Sequence, residues 1–142
     1  AVELLRAPYV LIVPADSPLA DRATPPTGRD IAGLDLIGYR SCRSLDQIQG
    51  SFREPLHFVF RSDQNGTLQG LVAAGVGGAI MPRLAIEPHE DGVVEHDLTG
   101  RVPPRVISII WHRDRYRSPA AKAFVETARE VCAELQKESR AA

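Results

Sequence analysis

The stretch from Asn65 to Pro82 constrains the fold of this chain more tightly than any other. Leu68, Leu71 and Val72 stand at i, i+3 and i+4, which places them on one face of a helix running from about Asn65 to Gly75. Gly75 is expected at the position just past the helix end, where a left-handed backbone is needed, and Ser62, Asp63 or Asn65 can cap the start. Gly77-Gly78 then allow a tight turn into the apolar strand Ala79-Ile80-Met81, and Pro82 stops it. A helix that feeds directly into an apolar strand must lay its apolar face on the sheet containing that strand. The segment therefore predicts an α/β layer.

The flanking sequence repeats this alternation. Tyr9-Val10-Leu11-Ile12-Val13 is apolar at every position, so both faces of that strand should be covered, the pattern typical of parallel sheets. A Pro-rich loop over Ala23–Gly28 and a short helical turn near Ile31–Gly33 lead to a second strand, Leu34–Tyr39. A helix is expected from about Arg40 to Phe52, a strand at His57–Phe60, a helical turn at Arg83–Ile86 and a short edge strand at Val93-Val94. Val106–Trp111 is the longest strong strand. Ser118 as N-cap with Pro119 behind it opens a final amphipathic helix striped by Ala121, Val125, Ala128, Cys132 and Leu135, with Phe124 widening the stripe. The expected class is α/β: a mostly parallel sheet flanked by helices.

Composition narrows function by exclusion. The net charge is −1, from 17 basic and 18 acidic residues, so the surface as a whole is not built to attract phosphate backbones. Fifteen of the basic residues are Arg, alongside many Ala, Gly and Pro, which reads first as a genomic bias, although the planar fork of Arg also suits carboxylates. No apolar run approaches the roughly 20 residues of a spanning helix, so no membrane association is expected. Cys42 and Cys132 match no disulfide or zinc spacing, which points to a reducing, cytoplasmic setting. His57, His89, His96 and His112 show no metal spacing, and no cofactor motif is read, so neither metal nor cofactor is expected.

Five stretches in order carry a family resemblance. Leu68–Pro82 resembles the helix, glycine turn and strand of LysR-type effector domains. Pro8–Pro14 with Ser17-Pro18-Leu19-Ala20, then Leu34–Ile37, Arg105–Trp111 and Ser118-Pro119-Ala120 with Phe124 resemble further elements of the same domain. The resemblance covers Glu3–Leu135 and implies a type II periplasmic-binding-protein fold, with two α/β subdomains joined by two crossing strands. It implies residues 1–14 as the crossing strand into the second subdomain, 15–104 as that subdomain, and 105–142 as the return strand and closing helix of the first. The winged helix-turn-helix, linker helix and most of the first subdomain of the family are expected before Ala1. The implied function is sensing a small-molecule effector in a bacterial transcriptional regulator, with a homodimer as the assembly and DNA contacted only through the domain expected upstream. A solute-binding protein of an uptake system shares the fold and is the alternative; a secretion signal upstream would distinguish it.

Ligands in α/β sheets bind beyond the carboxyl ends of strands, where helix N-termini offer free N–H groups. Two loops meet that description: Tyr39-Arg40-Ser41-Cys42-Arg43-Ser44, and Asp63 to Thr67 with Asn65 between them. By resemblance both face the family's ligand cleft. Arg40 or Arg43 can clamp a carboxylate and Ser41 or Ser44 can donate a hydroxyl, which suits a small organic acid. The competing reading is solvated arginines beside helix-capping Ser41 and Asn65. Cys42, between two arginines at a helix start, has the surroundings of an oxidant-sensing thiol, but no resolving cysteine lies nearby and the preferred reading is a small, partly buried structural residue. The cluster Arg113-Asp114-Arg115-Tyr116-Arg117 reads as a solvated turn more readily than as a nucleic-acid contact, because Asp114 interrupts it. Catalysis is not expected, since neither Ser41 nor Cys42 has a histidine partner in the sequence.

Overall fold

The computed structural model describes residues 1–40, 42–88 and 92–141. The chain forms two compact units: Ala1–Ala7 with Pro104–Ala142, and Pro8–Pro103.

The larger unit is built on a five-stranded sheet of β2 (Tyr9–Pro14), β3 (Asp35–Gly38), β4 (His57–Arg61), β5 (Gly78–Pro82) and β6 (Val93–Asp97), in the spatial order β4-β3-β5-β2-β6. β3 pairs parallel with β4 and β5, while β2 pairs antiparallel with β5 and β6. Four strands thus point one way and β2 alone is reversed. The unbroken apolar run of Tyr9–Val13 signalled coverage on both faces correctly, but coverage does not specify direction. Tyr9, Leu11 and Val13 enter one core with Ile31, Leu36, Ile48 and Phe52. Val10 and Ile12 enter the other, with Ile37, Leu68, Val72 and Met81. Period-two alternation thus divides one strand between two hydrophobic layers.

Helices α1 (Gly28–Ala32) and α2 (Cys42–Gly50) supply the first layer and α3 (Asn65–Ala73) the second. α1 survives at five residues because Thr27 and Asp30 form a reciprocal capping box. Backbone and side-chain hydrogen bonds from Thr27 hold the Asp30 carboxyl below the usual carboxylate range, helped by Arg22. α3 ends as expected, with Gly75 at φ 82°. Its start differs: Gln64 is the N-cap and makes no side-chain cap bond, while Ser62 Oγ accepts the Gln64 N–H at 3.1 Å. Asn65 and Thr67 are exposed at this helix start.

The smaller unit pairs β1 (Val2–Ala7) antiparallel with β7 (Arg105–Ile109), and α4 (Pro119–Ala141) contacts β1. The segment read as one strand over 1–14 is thus two, β1 and β2, separated at Pro8, which has no N–H to give a ladder. β1 escapes simple alternation because its register shifts between Glu3 and Leu5. Ser118 caps α4 as expected, its Oγ accepting the Ala121 N–H at 3.1 Å. Val125, Ala128 and Cys132 are half-buried, but Ala121, Phe124 and Leu135 are exposed, because a two-stranded sheet covers only part of the stripe. Gln136 lies against the backbone of β1, accepting the Arg6 N–H at 2.8 Å and donating to the Arg6 carbonyl at 3.2 Å.

Candidate functional site

Parallel pairing brings the carboxyl ends of β3 and β4 side by side, with Gly38 opposite Arg61 in register. The Ser62 N–H donates to the Gly38 carbonyl at 2.9 Å and locks the two strand ends together. The loops that follow, each leading into a helix N-terminus, consequently emerge from the same edge of the unit.

Within those loops, the structure joins Tyr39 to Asn65. The half-buried Tyr39 donates its hydroxyl to Asn65 Oδ1 at 2.9 Å across 26 residues of sequence. Arg40 and Arg43 are exposed and Ser44, in the first turn of α2, is half-buried. Asp63 and Thr67 are exposed at the start of α3, near Asn65 in sequence. Cys42 is the first residue of α2; its side chain, like Ser41, lies outside the described residues. No ion pair among the described residues engages Arg40 or Arg43. Arg40 and Arg43, without an ion pair among the described residues, lie on the same segment as Tyr39, and guanidiniums so placed can hold a small carboxylate through charge-assisted bonds.

Sequence reading missed a different cluster. Arg29, Arg53 and Arg101 line one groove of about 460 Å³ with Ser51 and Glu54. They lie on three segments 24 and 48 residues apart, so no linear spacing announces them. Glycine at position 28 is the only local hint, and its reason is steric: a Cβ there would lie 2.9 Å from Arg101 Nη1.

Comparison with known proteins assigns the domain. Residues 1–133 match the family model described as the LysR substrate binding domain. The chain is 28% identical over 139 residues to the probable HTH-type transcriptional regulator LrrA of Synechococcus elongatus, covering 94% of this chain and 46% of the relative. It is 31% identical over 142 residues to the DNA-binding transcriptional dual regulator OxyR of Escherichia coli K12, covering 94% and 45% respectively. The chain thus spans about half the length of the curated relatives it matches. Among solved structures, the effector-binding domain of QuiR in complex with shikimate superposes with a TM-score of 0.78 at 22% identity, covering 94% of this chain and 65% of that one. The reduced form of OxyR gives 0.70 at 32% identity, covering 93% and 62%. The fold is therefore that of LysR effector-binding domains, of the type II periplasmic-binding-protein class, and the chain belongs to the LysR substrate-binding domain family.

Proposed function

We propose that this domain senses a small carboxylate-bearing effector for a LysR-type transcriptional regulator, through the loops 39–44 and 63–67. The observation that carries the reading is the Tyr39–Asn65 hydrogen bond, which unites those loops at the carboxyl ends of adjacent parallel strands. Arg40 and Arg43, which no ion pair among the described residues engages, supply charge, and the QuiR domain, named in complex with shikimate, supplies a carboxylate precedent. Effector binding shifts the population of two arrangements of the domain, and a coupling of about 1–3 kcal/mol suffices to alter presentation of a helix-turn-helix carried elsewhere in the protein. The assembly is a homodimer working in the cytoplasm. The edge strand β4, with Val59 and Phe60 exposed on an unpaired sheet edge, offers a surface for the second copy.

Calorimetric titration of the chain with shikimate and a panel of small carboxylates tests this reading. The expected result is saturable binding to at least one acid, weakened at least ten-fold by Arg40→Ala with Arg43→Ala, about 1.4 kcal/mol or more. An unchanged affinity in the double variant removes the site from these loops.

A second reading is favoured by a specific pair of observations. Relatives 31% identical over 142 residues are named hydrogen peroxide-inducible genes activator, and Cys42 heads α2 between Arg40 and Arg43. In this reading the Cys42 thiolate attacks a peroxide oxygen, the O–O bond breaks, and sulfur leaves as sulfenic acid while the other oxygen departs as hydroxide. Treatment with one equivalent of hydrogen peroxide, followed by dimedone and mass spectrometry, is then expected to label Cys42 at least ten-fold faster than Cys132. Equal labelling of the two thiols rules it out.

A further inference from the structure

The groove holding Arg29, Arg53 and Arg101 belongs to a different part of the larger unit. Arg29 lies in α1, which precedes β3, and Arg53 follows α2 and precedes β4. Both are therefore at the amino ends of the strands whose carboxyl ends carry the loops 39–44 and 63–67, about 13 Å away for a four-residue strand. Three exposed arginines line one cavity, and no ion pair among the described residues engages any of them. Glu54 is the one acidic residue lining it, which leaves a net charge of +2. Asp97 lines the adjoining cavity and stays ionised, its carboxylate accepting the Thr99 hydroxyl at 2.6 Å and the Thr99 N–H at 2.8 Å, with Arg83 at 3.9 Å as its cationic partner. Like charges lining one groove repel one another, and a dianion bound among them offsets that repulsion.

Arg101 is also positioned in advance. Its guanidinium lies close over Gly28, where any larger residue would displace it, and its Cζ sits 5.9 Å from the Phe52 ring centroid. An arginine held on an aromatic ring keeps its N–H edge free for bidentate contact with an oxyanion, and less freedom is lost on binding. Ser51 Oγ donates to the Gln47 carbonyl at 2.8 Å, so the hydroxyl is fixed at the groove wall. Beyond Arg101 and Ser51 the groove continues into a cavity of about 730 Å³ lined by Pro25, Pro26 and Leu98 together with Asp97 and Thr99. Both volumes fall in the range of small-molecule sites, roughly 300–1,000 Å³.

We propose that this groove is a second ligand site, taking an organic phosphate monoester. Arg101 grips the phosphoryl oxygens bidentately, Arg29 and Arg53 complete the charge, and the body of the ester lies along Pro25, Pro26 and Leu98. The site is independent of the effector loops and does not rest on their assignment.

Nuclear magnetic resonance titration of the ¹⁵N-labelled chain tests it with three probes at constant ionic strength: glycerol 3-phosphate, inorganic phosphate and acetate. Glycerol 3-phosphate is expected to bind at least ten-fold more tightly than acetate and more tightly than inorganic phosphate, shifting the amides of Gly28, Arg29, Ser51, Arg53 and Arg101. Arg101→Ala is expected to weaken it at least ten-fold. Glu54→Gln, which removes the one negative charge of the groove, should strengthen it several-fold; this variant decides the matter if Arg101→Ala fails to fold. Affinity no greater than that of acetate, shifts confined to residues 39–44 and 63–67, or indifference to Glu54→Gln each overturns the proposal. Equal affinity for inorganic phosphate overturns the assignment of an organic ligand.

Discussion

Gln69→Leu is expected to destabilise the larger unit by about 2–4 kcal/mol, although leucine is nearly the same size and the site is fully buried. Gln69 Nε2 donates to the Glu87 carbonyl at 2.8 Å, and its Oε1 accepts the Glu87 N–H at 2.8 Å. The side chain thus behaves like one rung of a β-ladder, tying the segment after β5 to α3. Leucine keeps the packing and leaves both backbone groups without partners, each worth about 1–3 kcal/mol where water cannot replace the bond. Glu87 itself is exposed, so water recovers part of the loss. Urea unfolding is the check: the midpoint should fall while the slope holds, since little additional surface changes. A difference below about 0.5 kcal/mol, within the range of ordinary surface substitutions, sinks the claim.

Gly77→Ala is expected to cost about 2–3 kcal/mol for a steric reason. An added Cβ would fall on the carbonyl oxygen of Asp35 and lie 3.1 Å from the Asp35 carbonyl carbon. Those are backbone atoms of β3, which is pinned between β4 and β5 and cannot retreat without losing its ladders. Gly66→Ala is the internal control, because nothing lies within 4 Å of its Cβ position and alanine favours the helix it occupies. Thermal unfolding should separate the two: Gly77→Ala lowers Tm by several degrees, at about 3 °C per kcal/mol for a domain near this size, while Gly66→Ala leaves it unchanged or slightly raised. If the two variants unfold alike, the close approach of Gly77 to β3 is not what requires glycine there.

Both positions show where pattern reading stops. Gly77 was legible as part of a turn, since paired glycines before an apolar strand have few other uses. Its contact partner, Asp35, stands 42 residues earlier and could not be read. Gln69 sits between Leu68 and Gly70 and breaks no hydrophobic period, so nothing local distinguishes it from a solvated glutamine. Its burial follows from the course of the chain after Pro82. The stripe of α4 has the opposite history: its periodicity was clear, yet Phe124 remains 67% exposed because apolarity names a face without naming what covers it.

The candidate effector loops were placed from sequence by one rule, that sites gather beyond the carboxyl ends of parallel strands. The rule needs only the order of strands and helices. The rest required coordinates: that Tyr39 and Asn65 share a hydrogen bond, that Gln64 rather than a polar neighbour caps α3, and that Ser62 bridges to Gly38. Hydrogen bonds between loops depend on sheet register, and register is set by the whole packed sheet.

The amino-acid sequence alone determined the α/β class, the helix–turn–strand unit of residues 65–82 and the two-sided burial of Tyr9–Val13, because each follows from local periodicity or from order along the chain; the family came from the resemblance of five stretches to known domains. Tertiary structure decided the reversal of β2, the burial of Gln69 and the gathering of Arg29, Arg53 and Arg101 around one groove. Those depend on which segments become neighbours in space, and long-range neighbours are selected by the packing of the complete core, which no local stretch encodes.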